Sequence, residues 1–285
     1  MSTPKPNALQ SCPRAPTIDP RAVVAHDALI GSGCVVASGA VLCAGVVLDA
    51  DVVVGPNAVF VEPTSPADGA TTRVHQGVRI GANATLYPGI TLAADLVVRP
   101  GVVVTRSVPP RAIVDGNPAV IVGYVGTESS TTVASPFAQK DVSAVQTTQV
   151  RGVSLHTFPI VPDLRGSLTV GEFANEIPFM PRRYFMVFGV PSKEVRGEHA
   201  HRECHQFLIC VRGSCAVVAD DGARRVEIPL DAPNHGIYLP PMTWGVQYKY
   251  SADALLLVFA SHPYDASDYI RDYASFLTLA SKNKP

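Results

Sequence analysis

The residues best suited to chemistry lie in one short run, Arg196-Gly-Glu-His-Ala-His201, followed by Gln206 and Gly213. Histidine has an ordinary pKa close to neutrality, so it can both take and return a proton at pH 7. On a strand, residues two apart face the same side, which puts His199 and His201 together, either into a core or out to water. Such a pair has three uses: a solvated face, a metal site, or proton handling. A metal site of this kind wants an acid and a further histidine beside the pair. Gln206 is an amide, His235 comes early beside Gly236, and Pro240-Pro-Met-Thr-Trp244 offers no fourth ligand. Ligand count therefore favours metal-free use of the pair.

The surrounding chain must place that run on a rigid frame. From about residue 151, short alternating apolar runs recur at 184–190, 206–211, 215–219, 236–239 and 254–260, with turns at Asp220-Asp-Gly222 and Pro240-Pro241. Regularly spaced short strands without long helices between them predict a sandwich or closed barrel. Residues 265–279 have helical spacing and should cap or flank it.

The first half obeys another rule. Aliphatic residues recur every six positions from Ile18 through Val24, Ile30, Val36, Leu42, Leu48 and Val54 to Phe60. After a break the beat resumes from Val74 through Ile80, Leu86, Leu92, Val98 and Val104. A small or aliphatic residue follows each by four, as at Cys34, Ala40, Val78 and Ala84. Neither a helix nor a hairpin has this period. It is the hexapeptide pattern of a left-handed parallel β-helix, in which each coil buries its apolar residues on the next. Residues 61–73 interrupt it with Pro, Gly and polar side chains, and ejected loops of this kind often carry function. The fold class expected is thus all-β, a hexapeptide β-helix followed by a jelly-roll sandwich or other closed barrel. Its parts are a loose arm at 1–17, the β-helix at 18–125, a Ser/Thr-rich linker at 126–150 and the barrel at 151–285.

Length and charge agree with two domains and narrow the partners. A chain of 285 residues exceeds the usual single core. Lys and Arg total 23 against 24 Asp and Glu, a balance that gives no reason to expect nucleic acid or an acidic membrane surface. No apolar run approaches a membrane span, and no basic flank with an apolar core marks a secretory leader. The six cysteines form no C-x-x-C pair, which predicts buried thiols in the cytoplasm.

The histidine run resembles the first cupin motif, with Gln206 where that motif carries an acid. A wider set of segments occurs in one order: Pro162-Asp-Leu-Arg-Gly-Ser-Leu168, Ile177-Pro-Phe179, Arg183, Arg196 to His201, Gly213-Ser214, Asp220-Asp-Gly222, Pro240-Pro-Met-x-Trp244 and Tyr264-Asp-x-x-Asp-Tyr-Ile-Arg271. Together these closely resemble the dTDP-sugar 3,4-ketoisomerases, cupin enzymes that convert dTDP-4-keto-6-deoxyglucose to its 3-keto isomer. The resemblance covers about 155–277 and implies no redox cofactor and no metal. By resemblance the base is His201 and the assisting residue His199. Substrate contacts are implied for Arg165, Arg183, Tyr184, Arg196, Trp244 and Arg271, the arginines suiting diphosphate and sugar oxygens. Two departures stand out. Tyr184-Phe-Met186 replaces the usual Tyr-Tyr pair, and Gly245-Val246 follows the tryptophan where a polar or basic residue and an acid are usual.

The first half is similar to acyl-CoA-dependent acetyltransferases, through Ile80-Gly-Ala-Asn-Ala84, Pro88-Gly89 and Gly116-Asn-Pro-Ala119. That similarity implies acetyl-CoA as a cosubstrate, an amino-sugar acceptor, and a role for His75 and Asn57. The alternative is a trimerising scaffold without chemistry. A homo-oligomer is expected, a trimer through the β-helix with dimer contacts through the barrel. Two further alternatives for the whole are a metal-dependent cupin and a non-catalytic sugar-binding protein.

Overall fold

The computed structural model describes residues 14–63, 71–129, 143–164, 166–191 and 193–282. The chain divides into two compact units, Met1–Val125 and Gly126–Pro285.

Hexad periodicity becomes a three-sided β-solenoid. Strands of two or three residues stack in parallel on the strand one coil away, so Val35 pairs with Val53, Val41 with Val59 and Arg79 with Val97. Three hexads make one coil. Across the interruption the spacing lengthens, Val53 pairing with Arg79 and Val47 with Arg73, yet the register of inward residues is kept. The extra residues are therefore accommodated without disturbing the stack; 64–70 lie outside the described residues. Val36, Leu42, Leu48, Val54, Phe60, Ile80, Leu86, Leu92, Val98 and Val104 are all buried, as are the small residues two positions earlier. In the first coil Ile18 is exposed and Val24 and Ile30 are only half-buried, because that coil has a neighbour on one side only. The last coil is closed by Val120–Tyr124, which turns back antiparallel onto Ala112–Asp115.

The second unit is built from two six-stranded sheets. One runs Glu128–Ser129, Arg225–Leu230, Cys215–Asp220, Trp244–Tyr248, Arg196–His201, Tyr269–Ile270. The other runs Ala144–Thr147, Ser154–Thr157, His235–Leu239, Gln206–Arg212, Leu255–Ala260, Arg183–Phe188. Their inner faces share one apolar core, with Val217, Ala219 and Ile228 from the first packed among Leu208, Ile237, Leu256 and Val258 from the second. This is the expected cupin-type barrel. Composition assigned 126–150 to a linker, but Ala144–Thr147 is an edge strand on Ser154–Thr157, and Glu128–Ser129 pairs with Val226–Glu227. Polar edge strands need no apolar alternation, so composition hides them.

The carboxy-terminal segment also differs from a single helix. Asp265 caps a short 3-10 turn, Ala266–Asp268, its carboxylate accepting from the Ser267 amide. Tyr269–Ile270 then pairs with His201 and Ala200, and only Tyr273–Lys282 is α-helical. That helix is anchored by a buried network in which Asp220 accepts from Arg225 Nε and from the Tyr273 hydroxyl, both at 2.6 Å. Among the described residues, no helix is long and apolar enough to cross a membrane.

Candidate active site

The strand Arg196–His201 carries the two histidines, but not by simple alternation. A bulge between Gly197 and His199 puts Gly197 at φ 84° and Glu198 at φ 55°. A Cβ on Gly197 would meet the Gly245 carbonyl oxygen at 2.6 Å and the Gln247 amide at 2.9 Å, so only glycine fits there. Beyond the bulge His199 and His201 face the same side, with ring centroids 5.0 Å apart and planes nearly perpendicular. Both lie against the ring of Tyr269, at 4.9 and 4.4 Å. They line a pocket with Cys204, Gln206, Leu239, Pro240, Thr243, Gly245 and Gln247.

The two imidazoles are wired differently. His199 donates Nδ1–H to the Gly197 carbonyl at 2.9 Å, which leaves Nε2 as the proton-free nitrogen. Burial pushes its pKa down to about 4, so it stays neutral at physiological pH. His201 is only 5% exposed and engaged on both sides. Its Nδ1–H is given to Asp268 Oδ2 at 2.7 Å, and its Nε2 lies 3.0 Å from the Gln206 amide nitrogen, which donates to it. Burial lowers the His201 pKa, and the hydrogen bond to Asp268 opposes that shift. Asp268 is held in turn. Its Oδ1 accepts from the Glu203 amide at 2.8 Å, and its backbone oxygen accepts from the Arg202 amide at 2.9 Å. Burial would raise the Asp268 pKa, but these donors outweigh it and the group lies below its ordinary value.

Positive charge surrounds the pair. Arg271 stacks its guanidinium 4.4 Å over Tyr269 and lowers the proton affinity of both histidines. Arg183 acts similarly on His201, and lies over the rings of Phe185 and Tyr264 at 5.6 and 5.5 Å. Its buried Nε has no hydrogen-bond partner among the described residues. A buried guanidinium nitrogen without an acceptor is costly, which makes it a ready donor for an anionic or oxygen-rich ligand.

Of the residues singled out in the sequence, the structure therefore brings together His199, His201, Arg183 and Arg271. Others stand elsewhere. Trp244 is 7% exposed and packs edge-on against Tyr273 and beside Phe276, locking the terminal helix rather than lining the pocket. Tyr184 is 65% exposed on the outer face of an edge strand, because Arg183 and Phe185 take the inward positions. Arg196 is exposed on the far side of the bulge, and Arg165 lies outside the described residues. In the solenoid Asn57 occupies a left-handed turn position, φ 56°, where asparagine is favoured for backbone reasons alone. His75 is half-buried and sits 2.7 Å from Asp49 Oδ2, with Arg73 3.4 Å from the other oxygen. Sequence reasoning assigned no role to Asp268 or Tyr269. Both lie inside the Tyr264–Arg271 motif, and a carboxylate three residues before an arginine was the signal available.

Comparison with known proteins bears on the second unit. Residues 151–281 match the family model described as WxcM-like, C-terminal. The TDP-4-oxo-6-deoxy-alpha-D-glucose-3,4-oxoisomerase of Aneurinibacillus thermoaerophilus is 41% identical over 125 residues, which is 44% of this chain and 90% of that protein. Among solved structures, a 3,4-ketoisomerase from Helicobacter canadensis is 37% identical, covering 46% of this chain and 98% of its own, with a TM-score of 0.44. The sugar 3,4-ketoisomerase QdtA from Thermoanaerobacterium thermosaccharolyticum, solved with TDP, is 33% identical over 47% of this chain and 98% of its own, TM-score 0.46.

Proposed function

The chain belongs, through residues 151–281, to the WxcM-like, C-terminal family, and from that premise we propose that its barrel is a 3,4-ketoisomerase of dTDP-4-keto-6-deoxyglucose. Moving a carbonyl from carbon 4 to carbon 3 takes a proton from carbon 3 and returns one at carbon 4, through an enediolate. The two-histidine pocket with its Asp268 dyad carries this reading. It supplies a neutral imidazole to accept a proton, a second imidazole to handle the oxygens, and two arginines for negative charge. The reaction is internally redox-balanced, so it calls for no electron carrier.

The geometry favours a division of labour opposite to the one implied by resemblance. His199 Nε2 has no hydrogen-bond partner among the described residues and opens on the pocket, so it is the better-placed proton carrier. His201, buried and held by Asp268, serves best beside the enediolate oxygen, with Asp268 stabilising the charge it gains there when it takes up a proton. The reverse assignment, with His201 as base, is favoured by Asp268 alone, since a carboxylate partner strengthens a histidine base. Exchange at carbon 3 in deuterated water decides between them. His199→Asn should abolish exchange under the first assignment, whereas His201→Asn should do so under the second. Exchange persisting in both variants would refute the histidine mechanism itself.

Arg183 and Arg271 are the proposed anchors for the nucleotide-sugar, with Arg165 and Arg196 as further contacts implied by the resemblance. For the solenoid we propose acetyl transfer from acetyl-CoA to a dTDP-amino-sugar, with His75 as base. Its support is the Asp49 carboxylate that orients the ring beside the interrupted coil. Release of CoA thiol in the presence of a dTDP-3-amino-sugar tests it, and no release refutes it. Assembly as a homo-oligomer is part of the same reading. Tyr184, Met186 and Phe188 line up exposed on the edge strand Arg183–Phe188, where a second barrel could pair. The buried free thiols at Cys34, Cys43, Cys204, Cys210 and Cys215 suit the reducing cytoplasm.

A further inference from the structure

The catalytic reading leaves the pocket's thiol unused. Cys204 is buried, contributes to the pocket wall beside both histidines, and is a free thiol. Its sulfur, a nitrogen of His201 and a carboxylate oxygen of Asp268 all lie within 4.8 Å of one another. Three different elements meet there. His201 ends its strand, Cys204 follows three residues later in the turn, and Asp268 comes from the 3-10 turn that the terminal strand presses against it.

We propose that His201, Cys204 and Asp268 form a binding site for one divalent cation of the zinc class, and that occupancy of this site shuts off the isomerase. A thiolate, an imidazole and a carboxylate select Zn²⁺ or Co²⁺ over Mg²⁺ or Ca²⁺, which take oxygen ligands throughout. Tetrahedral zinc, with bonds of about 2.0 to 2.3 Å, holds its ligand atoms roughly 3.3 to 3.8 Å apart. Here the His201–Asp268 separation is 2.7 Å and the widest separation in the cluster is within 4.8 Å, so the required spacing lies between the two. The carboxylate side must open slightly and the sulfur side close, a change that side-chain torsions can supply.

At present the thiol points at a weak acceptor, the His205 carbonyl at 3.4 Å, with the Ser261 hydroxyl 3.9 Å away. Neither contact holds it strongly. Binding releases the Cys204 proton to solvent, because the thiolate is the ligand, while His201 ligates in its neutral form. With Nδ1 committed to the cation, His201 keeps its single proton on Nε2 and loses its carboxylate partner, so it can neither accept a proton nor become doubly protonated. The binding site stands on its own geometry; only its inhibitory effect rests on the ketoisomerase reading.

Cobalt is the probe. Titrating the full-length, metal-free chain with Co²⁺ should give, at one equivalent, tetrahedral visible bands and a thiolate-to-cobalt charge-transfer band, and Zn²⁺ should bleach both. Cys204→Ser should weaken cobalt binding by more than about 100-fold, beyond the 10- to 100-fold loss typical of an outer-shell partner. It should also remove the charge-transfer band. Absence of that band in the wild-type chain overturns the site, and so does its survival in the variant. Should the variant not fold, zinc-edge X-ray absorption on the wild type replaces it. One sulfur with nitrogen or oxygen neighbours is expected, and no sulfur, or several, overturns the proposal. In the activity arm, Zn²⁺ should slow carbon-3 exchange and a chelator restore it. A bound cation that leaves the rate unchanged overturns the inhibitory role. A chain with no exchange at all would instead defeat the ketoisomerase reading, and the cobalt spectrum would still decide the site.

Discussion

Replacing Asp268 by asparagine removes a charge with almost no change of shape, so it isolates what the carboxylate does to His201. In the native chain Oδ2 accepts from His201 Nδ1 at 2.7 Å and Oδ1 accepts from the Glu203 amide at 2.8 Å. Asparagine can keep its oxygen on Glu203, but it then turns an N–H toward His201. The imidazole must move its proton to Nε2 to accept, and it can no longer become doubly protonated with a carboxylate beside it. A hydrogen bond to a charged group contributes about 1.5 to 3 kcal/mol. At about 1.36 kcal/mol per decade, that is roughly 10- to 150-fold in rate. The assay is steady-state isomerisation of dTDP-4-keto-6-deoxyglucose, with carbon-3 exchange followed by NMR. The expected loss lies in kcat, with KM little changed, because Asp268 faces His201 and the backbone rather than the pocket. The pH profile should move as well, its acid limb shifting with the altered His201. A variant that folds and works within about two-fold of wild type, with an unmoved profile, would refute the dyad as a functional unit.

Burial holds the His199 pKa near 4, so the acid limb of kcat/KM should fall near pH 4 and not near 6.5; a limb at 6.5 would mean that His199 is not the essential base. The same shifts govern stability. His156, His199, His201, His205 and His235 all have folded pKa values below the unfolded one. The unfolded chain therefore binds more protons, and stability that is complete above about pH 6.5 should fall as pH drops toward each folded value. Thermal melts at pH 7.5 and 5.0 should show that loss. Gly236→Ala would push a methyl to 2.2 and 2.5 Å from the Phe207 ring, at the centre of the second sheet, and should cost about 1 to 3 kcal/mol in denaturant unfolding of the barrel. Finally, a fragment beginning at Gly126 should isomerise the sugar as well as the full chain does. One beginning at Arg151 should be less stable, because it lacks the Ala144–Thr147 edge strand. Equal melting points would show that strand to be dispensable.

Sequence alone determined the solenoid almost completely. A coil of three hexads buries one aliphatic and one small residue per side, so the contacts that stabilise it are a few residues away and repeat, and the period announces them. The barrel was legible in outline for the same local reason, through its alternation and turns. The histidine pair was legible because strand geometry fixes the relation between residues two apart. What the sequence could not convey is which distant groups reach that pair. Asp268 lies 67 positions beyond His201 and meets it only because Tyr269–Ile270 closes the sheet beside Ala200 and His201. The same tertiary pairing seats Tyr269 on both imidazoles and holds Arg271 over it. Tertiary packing also took residues away from the site. Trp244 is drawn under the terminal helix by Tyr273 and Phe276, and Tyr184 is turned outward by the inward claim of Arg183 and Phe185. Local pattern dictates which face a side chain takes, but the closing of one sheet edge on another decides what stands opposite it, and proton affinity depends on that neighbour.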